Sequence, residues 1–227
     1  MAGVEGPLES PELGAIVLAG GRSRRMGRDK ASVELGGLSL LERVVCGVAR
    51  FAGPVVVVAR AGQALPVLPA SVLVVHDPIE DLGPLAGLAA GLAALGARRE
   101  WAYLTATDMP FPSEAVAKRL YELARAHGGL AAVPTLEGRA QPLAAVLHRS
   151  ALAQIERLLA MGERRLLALV AALDARLVDA RELGADADVA REDPELDALR
   201  DLDTEEDLAW AEQRLEARAQ RALEGLG

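Results

Sequence analysis

The chain has 227 residues and a formal net charge of −8, with 51% hydrophobic and 26% charged residues. That length sustains a real hydrophobic core and that balance excludes a disordered chain, while the acidic surplus argues against coating nucleic acid, which needs basic surface for phosphates. The single cysteine, Cys46, leaves no internal disulfide or cysteine zinc cluster, the three histidines are scattered, and no run approaches the ~18 apolar residues that span a bilayer.

Residues 1–12, MAGVEGPLESPE, combine prolines and glutamates with no basic start. They read as a flexible leader rather than a signal peptide, and a cytoplasmic protein is the plain inference. From residue 13 onward the pattern is that of one domain, 13–227, because no linker divides it. GAIVLA (14–19) predicts the first strand, and the loop after it is rich in glycine and arginine. SLLERVVCGVAR (39–50) predicts a helix with Ser39 as N-cap. PVVVVA (54–59) is a strand by its valine run, and SVLVVH (71–76) is another.

PLAGLAAGLAALGA (84–97) predicts a helix with proline in its first turn. WAYLTA (101–106) is a strand, and 113–129 is a helix with Ser113 as N-cap and Gly128 at its end. Strands are expected at 130–135 and 143–148, helices at 150–160 and 163–173, and a weak strand at 175–180. The acidic stretch from Gly184 to Asp201 reads as irregular. Thr204, with Asp207 three residues on, caps a long C-terminal helix. Strands alternating with helices predict an α/β protein with a mainly parallel central sheet.

In such a sheet, ligands bind at the carboxyl ends of the strands. Three features fall there: the loop at 18–30, Asp77 and Asp108. Gly20 and Gly21 let backbone N–H groups approach an anion, as a phosphate cradle requires, and Arg25 and Lys30 add full charges. The bland alternative is a solvated basic loop. Of 25 basic residues only Lys30 and Lys118 are lysines, which marks Lys30 as a place where a compact ammonium serves better than a guanidinium.

Asp108 is a hard oxygen donor suited to Mg²⁺, or else a turn residue ahead of Pro110 and Ser113. Asp77, before Pro78, initiates a turn or meets a nucleotide. His76 reads as a packed strand residue. Arg139, Arg164 and Arg165 are candidates for a second phosphate, with solvation as their default.

The segment LAGGRSRRMGRDK resembles the signature of the molybdenum cofactor guanylyltransferases, the MobA-like nucleotidyltransferases. HDPIEDLGPLAGLAAGL, TATDMPFPS, QPLAAVLHRS and DLDTEEDLAWAE are similar to further segments of that family, in the same order. The resemblance implies a three-layer, Rossmann-like nucleotidyltransferase fold. It implies transfer of GMP from GTP to the terminal phosphate of molybdopterin, with release of pyrophosphate.

Leu18, Ala19, Gly20, Gly21, Lys30, Asp77 and Asp108 would bind the nucleotide. Arg25, Lys30 and Asp108 would act in catalysis, with Mg²⁺ on Asp108. Hand-over of product to molybdoenzymes or their chaperones would follow, without nucleic acid or membrane. A sister reaction with CTP, another NTP on a different acceptor, or a non-catalytic nucleotide-binding module are the alternatives. The chain departs from the family at Asp201 and Asp203, where asparagines are frequent, and at Ala59–Arg60, where an asparagine is expected. Asp203 would be a second metal ligand, a repulsive charge or a helix-cap neighbour.

Overall fold

Strand β1 (Leu13–Leu18) buries both of its faces, Ala15 and Val17 on one side of the sheet and Ile16 on the other. A computed structural model describes residues 13–20, 30–77 and 83–224. The expected leader, 1–12, and the loop residues Gly21 and Arg25 lie outside the described residues.

A turn of 3₁₀ helix at Lys30–Ser32 leads into a short hairpin, β2 (Glu34–Leu35) and β3 (Leu38–Ser39). The sequence reading did not include this hairpin. Its turn is Gly36–Gly37, both at positive φ (58° and 78°), which a two-residue hairpin turn requires. Ser39 then caps α1 (Leu40–Val48) in a reciprocal box: Glu42 N–H donates to Ser39 Oγ at 3.2 Å, and Ser39 N–H donates to Glu42 Oε2 at 2.9 Å. The valine run forms β4 (Val55–Ala59), buried at every residue, and β5 (Leu73–His76) follows. Gly83 at φ 79° and Pro84 start α2 (Pro84–Leu95), and β6 (Trp101–Ala106) matches its expected span.

Ser113 and Gly128 bound α3 (Glu114–His127) as expected. The next region needs correction. β7 (Ala131–Leu136) folds back on a two-residue strand, β8 (Arg139–Ala140), which lies between the two expected strands. Of the strand expected at 143–148, Val146–His148 pairs in the sheet as β9, while Leu143 and Ala144 belong to a 3₁₀ turn that starts at Pro142. Pro142, with φ fixed and no N–H to give to a ladder, starts the turn, which carries into the first two residues of the expected strand.

Helices α4 (Ala151–Ala160) and α5 (Leu166–Ala172) are followed by β10 (Arg176–Asp179). The acidic stretch read as irregular is ordered. It holds the last residue of α6 (Ala180–Gly184), all of α7 (Ala187–Glu192) and a 3₁₀ turn at Asp197–Leu199. Asp179 and Asp186 serve as N-caps, and Glu192 accepts from Ser113 Oγ and the Glu114 N–H, both at 2.8 Å, at the start of α3. Acidic residues at helix starts are stabilising, so their density here marks caps rather than disorder. Thr204 and Asp207 exchange hydrogen bonds at the start of α8 (Glu205–Glu224).

The main sheet runs β10–β7–β9–β6–β1–β4–β5, with β8 on β7. β1 pairs in parallel with β4 and β6, β4 with β5 and β7 with β10, while β9 runs antiparallel to β6 and β7. One apolar layer joins α2, α4 and α5 to the face of Ile16, Val56 and Leu104. The other joins α1 and α3 to the face of Val17, Val57 and Tyr103. This is the expected α/β architecture, with helices on both faces of a mostly parallel sheet. The chain leaves β1 toward β4 on one side and returns to β6 on the other, so the topological switch lies at the carboxyl end of β1.

Candidate active site at the carboxyl end of the first strand

A cleft of about 370 Å³ opens at that switch point. Leu18, Ala19, Gly20, Lys30, Asp77 and Asp108 all line it, together with Arg60, Gly83, Gly87 and Leu143. The sheet register explains why: Leu18 of β1 lies beside Val58 of β4 and Ala106 of β6, so the residues just beyond these strands converge. Ala19 N–H donates to Val58 O at 2.8 Å, and Thr107 N–H donates to Leu18 O at 3.1 Å. Asp77 is held by its N–H, 2.8 Å from the carbonyl of Ala59.

Lys30 is buried. Its Nζ donates to Asp108 Oδ2 at 3.0 Å and to Asp203 Oδ1 at 2.6 Å. Burial works to lower its pKa. The Asp108 charge and hydrogen bonds from the ammonium to both carboxylates outweigh burial and hold the pKa above the ordinary lysine value. The ammonium is therefore a fixed positive charge at neutral pH, set at the floor of the cleft.

Asp108 is not the N-cap of the following helix; Ser113 is. One oxygen of Asp108 receives Lys30, and the other, Oδ1, is buried with no hydrogen bond among the described residues. A buried oxygen without a partner is costly unless an ion or ligand completes it. Among the described residues no group of three His, Cys, Asp or Glu is arranged to hold a metal. The one open carboxylate oxygen, Asp108 Oδ1, is the kind of donor that a cation such as Mg²⁺ takes when phosphate oxygens and water complete its shell.

Asp203 was open to three sequence readings, and its structural role is to receive Lys30. It is also a helix-cap neighbour, because its N–H donates to Asp207 Oδ2 at 3.1 Å. The segment that carries it is stitched to the site: Leu202 N–H donates to Asp108 O at 2.8 Å, and Leu202 is buried beside Phe111. Arg214 and Arg218 of α8 hold this segment from behind. Arg214 Nε meets Asp197 Oδ2 at 2.5 Å, and Arg218 Nη2 meets Asp197 Oδ2 at 2.7 Å and Asp193 Oδ1 at 2.8 Å. Asp193 in turn accepts the N–H groups of Asp197 and Ala198, both at 3.0 Å.

His76 is exposed rather than packed, since β5 is the edge strand; its Nδ1 lies 3.2 Å from the Arg60 carbonyl. Arg165 pairs with Glu163 at 2.7 Å, and Arg139 is exposed; neither lines the cleft. The sequence marks Arg60 only as a departure from the family's asparagine, and it does not single out Gln63. Gln63 accepts the Arg60 N–H at Oε1 and donates from Nε2 to the Ala19 carbonyl, each at 3.0 Å. Their signal was positional: they follow β4 at the same sheet edge as Asp77.

Residues 15–179 match the family of the MobA-like NTP transferase domain. A probable molybdenum cofactor guanylyltransferase of Mycobacterium avium strain 104 is 38% identical over 173 residues, 75% of this chain and 86% of the relative. Its counterpart in Mycobacterium tuberculosis strain H37Rv is 40% identical over 166 residues, 72% of this chain and 81% of the relative. Among solved structures, molybdopterin-guanine dinucleotide biosynthesis protein A from Archaeoglobus fulgidus superposes with a TM-score of 0.73. It is 26% identical, covering 90% of this chain and all of that one. A 2-C-methyl-D-erythritol 4-phosphate cytidylyltransferase from Thermus thermophilus shares the fold at a TM-score of 0.63 and 21% identity, over 89% of this chain and 98% of that one. The strand-edge cleft, its lysine–aspartate floor and these matches converge on one assignment: the chain belongs to the MobA-like NTP transferase domain family.

Proposed function

We propose that the chain transfers GMP from GTP to the terminal phosphate of molybdopterin in the molybdenum cofactor, releasing pyrophosphate. The observation that carries this reading is the Lys30 ammonium between Asp108 and Asp203, at the floor of a cleft on the switch point of a MobA-like fold. Relatives 38–40% identical over most of the chain bear the guanylyltransferase name.

The acceptor phosphate is already an anion and needs no side-chain nucleophile. Its oxygen attacks the α-phosphorus of GTP, the bond from that phosphorus to the bridging oxygen breaks, and the electron pair leaves on pyrophosphate. Catalysis then reduces to in-line placement and neutralisation of charge. Lys30 supplies a fixed ammonium to the phosphates, and Gly20 presents a backbone with no Cβ in the way. Gly21 and Arg25 complete the phosphate loop in this proposal. Asp77 lies at the nucleoside end. Mg²⁺, held by Asp108 with phosphate oxygens and water, would supply further charge neutralisation. Synthesis in the cytoplasm with hand-over to molybdoenzymes or their chaperones is the setting that this reaction implies.

The test is pyrophosphate release with molybdenum cofactor as acceptor and GTP, CTP or ATP as donor, with Mg²⁺ and after chelation. GTP should be preferred and chelation should stop turnover. Preference for CTP would leave nucleotidyl transfer standing and remove the guanylyl assignment, while turnover that survives chelation removes the role of Asp108 as metal ligand. Nucleotide binding without any turnover favours the non-catalytic module.

A further inference from the structure

Separate from the two apolar layers on the faces of the sheet, a small third core gathers Leu35, Leu40, Phe111, Leu202 and Ala211. Three of the segments that meet in it carry the charged residues of the lysine clamp. Leu35 lies five residues after Lys30, and between them the Val33 N–H donates to the Lys30 carbonyl at 3.2 Å. Phe111 lies three residues after Asp108, and Leu202 directly precedes Asp203. The remaining contribution comes from α8, whose half-buried Trp210 packs against this core.

The indole of Trp210 has an engagement on each side. It meets Phe111 in a T-shaped contact, with ring centroids 5.8 Å apart and planes at 89°. The Arg200 guanidinium carbon lies 3.8 Å from the Trp210 ring centroid, and indole is the best aromatic partner for a cation. Arg200 also reaches Asp207 at 3.6 Å, the residue whose Oδ2 accepts the Asp203 N–H. One side chain thus joins the turn after Asp108 to the stretch that leads into Asp203. That stretch needs such support, because residues 200–204 belong to no helix or strand. The Leu202 N–H bond to the Asp108 carbonyl pins the two segments at one point and leaves them free to pivot about it.

We propose that Trp210 is a positioning residue for nucleotidyl transfer: through Phe111 and Arg200 it supplies the second fixed point that keeps both carboxylates on Lys30. The inference rests on the reaction assigned above and adds the residue that holds its charged groups in place. A misplacement of about 1 Å at such a group costs about 10²-fold in rate. Trp210 touches neither Lys30 nor the cleft lining, so its effect on the rate passes through Asp108 and Asp203.

The test is a double-mutant cycle in the intact chain, with Trp210→Leu and Trp210→Phe each made alone and together with Asp203→Ala. Trp210→Leu should lower kcat for pyrophosphate release from GTP about tenfold where Asp203 is present. Where Asp203 is already alanine the same change should alter kcat by less than about twofold, since nothing is left to position. Trp210→Phe keeps an aromatic ring for both Phe111 and Arg200 and should restore most of the rate. Urea midpoints confine the comparison to folded protein. If Trp210→Leu does not fold, Arg200→Ala carries the same cycle, with an expected loss of about threefold that again vanishes beside Asp203→Ala.

A second readout needs no nucleotide. Trp101→Phe leaves Trp210 as the sole tryptophan, and adding Lys30→Ala or Asp203→Ala should move its emission to longer wavelength, because coupling between two positions is reciprocal. An unchanged rate in Trp210→Leu overturns the proposal, as does an equal loss in both backgrounds, which makes Trp210 a packing residue only. Unchanged emission in both clamp variants overturns it as well. A wild type without turnover whose Trp210 emission still follows the clamp removes the reaction and leaves the coupling standing. Turnover with GTP and no coupling removes this inference alone.

Discussion

Lys30 and Asp203 are 173 positions apart in the chain, yet their charged atoms are 2.6 Å apart, closer than the 3.0 Å between Lys30 and Asp108. The two carboxylates hold one ammonium from two sides, one delivered by the end of β6 and one by the segment before α8. Lys30→Ala should lower pyrophosphate release by about 10²–10³-fold, the usual loss on removing one preorganised electrostatic group. Asp203→Asn keeps an oxygen that accepts from Lys30, so it should retain more activity than Asp203→Ala. Steady-state rates on the three variants decide this, and equal activity of Lys30→Ala and wild type would remove Lys30 from the mechanism.

Asp197 is buried under two guanidinium groups, those of Arg214 and Arg218. Truncating one member of such a buried set leaves charge without compensation and costs roughly 3–5 kcal/mol. Asp197→Ala should therefore lower the denaturation midpoint strongly. It should also reduce turnover, because the same segment carries Leu202 and Asp203 to the site. Urea unfolding and activity measured on the same preparation test both halves.

Gly91 lies in the middle of α2, where glycine is a poor helix former, and alanine would ordinarily stabilise by up to about 1 kcal/mol. Here a Cβ would sit 2.5 Å from Ile16 Cγ2, inside a fully buried face of β1. Overpacking of this kind costs roughly 1–3 kcal/mol, so crowding wins over propensity. Gly91→Ala should thus be destabilising in an equilibrium denaturation experiment, and a gain in stability would contradict the close approach of α2 to the sheet.

Much of this architecture was legible in the sequence, and the losses have physical causes. β1, β4 and β6 are buried on both faces, so they appear as continuous apolar runs that leave little choice of element. Ser39, Ser113, Gly128 and Thr204 sit at helix ends where their side-chain or backbone chemistry is needed. The β2–β3 hairpin escaped because two-residue strands carry no periodicity, and only Gly36–Gly37 marked it. The stretch before Asp201 escaped because acidic caps look like polar loop until the helices they cap are seen. At the site, Lys30, Asp77 and Asp108 were visible as residues at strand ends. The pairing of Lys30 with Asp203 was not, because nothing local in the chain joins positions so far apart.

Asp207 gives a prediction in pH. Burial alone would raise its pKa, but hydrogen bonds from the Thr204 hydroxyl and from the Asp203 and Thr204 N–H groups outweigh burial and lower it below the ordinary aspartate value. A carboxyl whose folded pKa is depressed contributes stability that is complete above its unfolded pKa and is lost as pH falls through the folded one. The stability gap between wild type and Asp207→Asn should therefore be full at neutral pH and shrink toward zero in strong acid. Thr204→Ala, which removes the partner hydroxyl, should cost about 1 kcal/mol at neutral pH. Urea midpoints at several pH values follow both effects.

The hydrogen bond from the Leu202 N–H to the Asp108 carbonyl has a consequence for the order in which the molecule is completed. Every described strand of the main sheet ends by residue 179, so the chain encodes all the strand-borne walls of the cleft before the segment that carries Leu202 and Asp203. Until residues 202 and 203 emerge, Lys30 has only Asp108 of its two carboxylates. The ribosome thus delivers the scaffold first and the second arm of the lysine clamp last.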